Sequence, residues 1–186
     1  MTRYPPLRRE DMYFEQRRVA DAVAERRKGG LAGPFLPLAY VPGILDRLQQ
    51  LGEHLRFDTG LPRKLLEMAI LITARHTQAQ VEFYVHCRPA REFGVTDETI
   101  AALAEKRRPD KLDEDEALVY DFCTELHGRG RVSDELFARA EKRFGKAVIL
   151  DLVATCGYYA MLAMVLNVTE TPLPAGAVPP FPVPAH

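Results

Sequence analysis

The sequence predicts an all-α protein of about seven or eight helices. Three observations carry that prediction. Apolar residues recur at three- and four-residue spacing along most of the chain. No alternating stretch of β-branched residues spans more than a few positions. Helix start and stop residues punctuate the sequence at short intervals. The chain has 186 residues, the size of one domain. A chain of that size buries roughly 70% of its unfolded surface and needs no covalent or metal staple.

Residues 10–27 are helical in composition and run out at Gly29-Gly30. In LAGPFLPLAYVPG, Pro34, Pro37 and Pro42 break any helix. Pro42 suits the first turn of PGILDRLQQLGEHLRF, where Ile44, Leu45, Leu48, Leu51 and Leu55 line one face. Pro62 precedes RKLLEMAILITARH, with a broad apolar face that includes Leu65, Leu66, Met68 and Ile72. The segment QAQVEFYVHCRPAREFG runs to a C′ glycine at Gly94, with Pro89 as a candidate kink. Thr96, Asp113 and Ser133 are N-caps for three more helices, and the last two of these stop at Gly128 and Gly145.

The apolar run 147–168 completes the series. It contains Asp151, which would be costly in lipid, so it reads as a core helix with a face for a subunit contact, not a membrane span. Residues 172–186 hold six of the 14 prolines and form an extended tail, either disordered or lying along a neighbouring surface. The chain thus divides into an N-terminal helical extension (1–30), a helical domain (31–171) and a proline-rich tail (172–186).

Charge and cysteine usage exclude several classes. Lys+Arg number 25 against 26 Asp+Glu, leaving no cationic excess for the phosphates of a nucleic acid. The three cysteines, Cys87, Cys123 and Cys156, form neither a disulfide framework nor a CxxC. They read as free thiols packed as small hydrophobes in a reducing cytosol. The N-terminus lacks the apolar core of a signal peptide, and a cytoplasmic location follows as the expectation.

Three ionisable residues sit amid apolar helix. Glu67 lies in LLEMAILI, near the edge of a buried face. Glu82 and His86 in QVEFYVHC are four residues apart and share one helix face. Two carboxylates and an imidazole are the parts of a proton relay or a general acid/base pair. The structural alternative is a solvated Glu–His contact, with Glu67 reaching to the rim. Glu82 and His86 could supply two metal ligands, but HExxH is absent and a third ligand is not evident, so no metal or other cofactor is assigned. Cys87 adjoins His86 in sequence, but consecutive helical side chains point about 100° apart. His54, His76 and His127 lie at helix ends, where a capping role is expected. Tyr158 and Tyr159 would each need a hydrogen-bond partner if buried.

From Glu67 to Gly94 the chain resembles the carboxymuconolactone decarboxylase/AhpD-like family. The thiol-dependent branch is marked by Glu, eleven residues, Cys, two residues, Cys, three residues, His. From Glu67 that spacing lands on Ala79, Glu82 and His86, so both ends match and both cysteines are replaced. The stretch QVEFYVHCRPAREFGV resembles the decarboxylase-type version. Further similarity lies in GPFLPLAYVPGILDRLQQLGEHLRF and GYYAMLAMVLNVTETPLP, so the resemblance spans roughly residues 33–174.

The resemblance implies an AhpD-like helical bundle assembled as a homo-oligomer (a trimer, hexamer or dimer). It also implies a cofactor-free lyase that uses Glu67, Glu82 and His86 on a small carboxylated lactone or a related aromatic-catabolic acid. Two other readings stand beside it. An AhpD-type alkylhydroperoxidase would need the two missing vicinal cysteines. A non-catalytic, small-molecule-binding relative would have no reason to bury three ionisable groups.

Overall fold

The computed structural model describes residues 2–27 and 29–183, and every regular element among them is helical. A 3₁₀ turn at Arg9–Asp11 precedes eight α-helices: α1 (Phe14–Arg26), α2 (Phe35–Leu38), α3 (Pro42–Phe57), α4 (Arg63–His76), α5 (Gln80–Glu92), α6 (Asp97–Ala104), α7 (Glu114–Arg129) and α8 (Asp134–Val168).

The fold is organised around α4. Every residue from Leu65 to Ala74 is buried, as expected of a helix that is apolar on nearly all sides. It packs against α5, α6, α7 and α8, while α1 and α2 lie on α3. The turn from α4 into α5 is tight, and Gln78 takes a left-handed conformation with φ of 56°. This hairpin lays α5 along α4 and brings Glu82 and His86 over Glu67.

Local chemistry explains most helix ends. Thr96 accepts a hydrogen bond from the Thr99 backbone N–H at the start of α6. Asp113 and Glu116 form a reciprocal capping box at the start of α7. That helix ends at Gly130, whose φ of 70° suits glycine, two residues beyond the expected stop at Gly128. The expected stop at Gly145 is met: with φ of 79° and ψ of 165° it ends one helical segment, and a second begins directly after it, α8 denoting the two together. The prolines of residues 34–42, expected to break any helix, do not exclude one. The one-turn α2 forms because Pro34 and Pro37 occupy its cap and first turn, where backbone N–H groups have no intrahelical acceptor. Helix α5 continues across Pro89 to Glu92.

Helix α8 passes the length and composition test for a membrane span. However, its Leu152, Tyr159, Leu162 and Leu166 are buried in the common core, so it is a core helix. Gly52 lets it approach α3: a Cβ there would collide with the Tyr158 hydroxyl, which donates to the Leu48 carbonyl at 3.0 Å. The tail folds back onto the protein. Phe181 is buried edge-on against Phe83 and beneath the Arg75 guanidinium, and Gln80 donates to its carbonyl.

Candidate active site

Glu67, on the central helix, is 0% exposed, and Glu82 and His86 on α5 are 5% and 8% exposed. Glu67 is therefore fully buried instead of reaching the rim as its sequence position suggested. The α4–α5 hairpin joins the three side chains. His86 Nδ1 lies 2.7 Å from Glu67 Oε2, and His86 Nε2 lies 3.3 Å from Glu82 Oε1. Behind Glu67, Arg63 donates to Oε1 at 3.1 Å. Arg63 also donates to the Arg56 carbonyl and stacks over Phe93. The result is a row of alternating charge, Arg63–Glu67–His86–Glu82.

This row decides the state of the imidazole. Burial alone would lower the His86 pKa, but hydrogen bonds and charge from Glu67 and Glu82 overcome it and raise the value to about 9. A pKa raised this far favours the imidazolium at neutral pH, with Nδ1–H donated to Glu67 and Nε2–H in a looser ion pair with Glu82. Its ring meets Tyr159 edge-on, with centroids 5.1 Å apart. Burial raises the pKa of Tyr158 to about 12 and also raises that of Tyr159, so both phenols stay protonated.

Glu82 and His86 face a cavity of about 250 Å³, whereas Glu67 stands behind them. The same cavity is lined by two guanidinium groups, Arg27 and Arg56, and by Phe35, Tyr158 and Tyr159. Neither arginine makes an ion pair among the described residues. Arg56 Nε is buried without a hydrogen-bond partner, and Arg27 lies over the Phe35 ring at 4.4 Å. Burial lowers the Arg27 pKa. Uncompensated cations in a half-closed cavity are costly, and an anionic ligand would relieve that cost. The cavity thus presents a proton donor and two anion receptors. Among the described residues no group of three His, Cys, Asp or Glu side chains is placed to hold a metal ion.

Sequence reasoning identified the carboxylate–imidazole groups but missed three arginines. Arg63 was accessible, since it lies four residues before Glu67 and an i,i+4 pair was there to be read. Arg27 and Arg56 carried no local signal, because only the packing of α1 on α3 brings them to the cavity. Ala79 and Glu82 occupy the positions where a thiol-dependent relative has cysteine. Ala79 is buried, and Glu82 completes the charged row.

Comparison with known proteins agrees with this architecture. Residues 42–118 match the model of the carboxymuconolactone decarboxylase family. No curated protein gives a significant match. Among solved structures, the chain is similar to an alkylhydroperoxidase AhpD core, an uncharacterised peroxidase-related protein from Ralstonia eutropha JMP134. Identity is 17%, coverage is 94% of this chain and 93% of that one, and the TM-score is 0.76.

Proposed function

We propose, on the premise that residues 42–118 are a carboxymuconolactone decarboxylase family segment in an AhpD-like fold, that the protein is a cofactor-free carboxy-lyase. Its substrate is a small carboxylated lactone or a related acid of aromatic catabolism. The observation that carries this reading is the placement of His86, held between Glu67 and Glu82 on the wall of a cavity that also holds Arg27 and Arg56.

Loss of CO2 from a γ-carboxylated lactone breaks a C–C bond and leaves the electron pair as a dienolate. The dienolate needs charge stabilisation and then a proton on carbon. His86 supplies both: its Nε2–H, only loosely paired with Glu82, first hydrogen-bonds the developing enolate and then delivers a proton. Glu82 orients the ring and relays the replacement proton from solvent. Glu67, fixed by Arg63, keeps the imidazole protonated between turnovers. An arginine on the departing carboxylate would stabilise the ground state and oppose CO2 loss. Arg27 and Arg56 therefore bind an anionic group that the substrate retains.

The AhpD-type peroxidase reading lacks support at this site, since Ala79 and Glu82 replace both cysteines. A degraded, purely binding site would not need the buried charged row. The test is CO2 release from carboxymuconolactone by the purified protein with no added metal or thiol. Turnover supports the lyase reading. An inert protein that instead consumes alkyl hydroperoxide in the presence of thiol would replace it.

The same reading includes a cytoplasmic homo-oligomer. It is supported by three cysteines carried as free thiols and by an unpartnered apolar stripe on α8. In that stripe Leu150, Met164 and Val168 are 67%, 59% and 62% exposed. Exposed apolar side chains in line on one helix suit a contact with another copy.

A further inference from the structure

Helices α7 and α8 pack against each other and against α4. Where they meet, Cys156 Sγ and Cys123 Sγ lie 3.6 Å apart, in van der Waals contact, although 33 residues separate them in sequence. Both are buried, at 2% and 0% exposure. A disulfide bond is about 2.05 Å long, so closure asks for about 1.5 Å of movement shared by two side chains.

The thiols have polar neighbours. Thr73 of α4 donates to the Ala69 carbonyl at 2.8 Å, which uses its only hydrogen. The 2.8 Å contact between Thr73 Oγ1 and His127 Nε2 is then a donation from the imidazole. His127 follows Cys123 by one helical turn and stacks on His76, with ring centroids 4.8 Å apart. Both histidines, with Thr124, Arg75 and Lys106, line a second cavity of about 230 Å³. His127 lines that cavity and also lies beside Cys156, so this side chain links the cavity to the sulfur pair.

We propose that Cys123 and Cys156 are a dithiol–disulfide couple oxidised by hydrogen peroxide entering through the cavity at His76 and His127. This would be a peroxide-consuming centre separate from Glu67, Glu82 and His86. Burial of both sulfurs selects a small, neutral oxidant. With both thiols protonated, Cys156 donates its S–H to Cys123. Once Cys156 loses its proton Cys123 donates in return, and that bond, with His127 nearby, lowers the Cys156 pKa despite burial, while that of Cys123 is raised. Cys156, the sulfur beside His127, is the attacking one and Cys123 the resolving one.

In the first step the Cys156 thiolate forms a bond to one peroxide oxygen. The O–O bond breaks, and the other oxygen leaves as hydroxide, which takes up the proton Cys156 had released. The products are a sulfenic acid and water. Cys123 then attacks the Cys156 sulfur and expels a second water. Two thiols and one peroxide thus become one disulfide and two waters, and a small dithiol such as dithiothreitol reverses the change by exchange. The third cysteine, Cys87, has its thiol pushed up to about 11 by burial and makes no sulfur contact among the described residues.

The wild-type protein tests this without any lactone, so the outcome is independent of the lyase reading. The reduced protein is treated with one equivalent of hydrogen peroxide at neutral pH, then examined by intact mass and peptide mapping. The expected result is a loss of about 2 Da, a Cys123–Cys156 link, a free Cys87 and reversal by dithiothreitol. Cys156→Ser should slow peroxide consumption by roughly tenfold or more, while Cys87→Ser should not. An unchanged mass, or oxygen added to single cysteines with no Cys123–Cys156 link, would overturn the proposal.

Discussion

Burial and charge pull the His86 proton in opposite directions, and the two carboxylates prevail. The sign of the resulting pH dependence follows. The folded-state pKa of about 9 lies above the usual imidazole value of 6.5. The stabilisation is therefore complete below the unfolded pKa and drains away as pH rises through the folded one. A gap of that size is worth on the order of 3 kcal/mol. Urea midpoints measured from pH 6 to pH 10 should fall over that span in the wild type and stay flatter in Glu67→Gln; parallel curves would contradict the coupling. Arg56→Ala should raise KM for an anionic substrate about tenfold or more with a smaller change in kcat, since it removes ground-state binding. The carboxylate–imidazole residues were legible because both ends of a spaced motif survive in one hairpin. Arg27, Arg56 and the Cys123–Cys156 contact were not, because each is placed by segments far apart in the chain. The cysteines were read as inert core side chains, and only the packing of α7 on α8 reveals a pair.

At the scale of elements, two close packings carry the site's geometry. Gly52 of α3 admits Tyr158, so Gly52→Ala must displace a buried phenol that hydrogen-bonds Leu48. A loss of about 1–3 kcal/mol in denaturant unfolding is expected. Phe181 anchors the tail against Phe83 and Arg75, so Phe181→Ala should cost about 3 kcal/mol and open residues 172–183 to limited proteolysis. An unchanged protease pattern would show that the tail is held some other way. The helices were legible from their caps, as Thr96, Asp113 and Gly94 illustrate. One feature escaped: proline is tolerated in the first turn of a helix, which hid α2. Which surface the tail follows could not be read either, since extended proline-rich chain has no periodicity to point one face inward.

At the scale of the whole molecule, two chemistries share α4 and α8. Glu67 of α4 and Tyr159 of α8 flank His86, whose cavity also holds Arg27 and Arg56, while Cys156 of α8 meets Cys123, with Thr73 of α4 bonded to His127 nearby. The proposed oligomer places the apolar stripe of α8 against another copy. Met164→Glu should reduce the assembly to a 21.0 kDa monomer in light scattering, and a wild type that is already monomeric would remove the proposal. The central claim is that His86 transfers the proton that completes decarboxylation. It is tested most directly by measuring CO2 release from carboxymuconolactone with the wild type and with His86→Ala, the variant's fold being verified by circular dichroism. The account predicts turnover by the wild type and a loss of about 10²–10⁴-fold in the variant. A folded His86→Ala protein that turns over as fast as the wild type, or a wild type with no turnover, would contradict it.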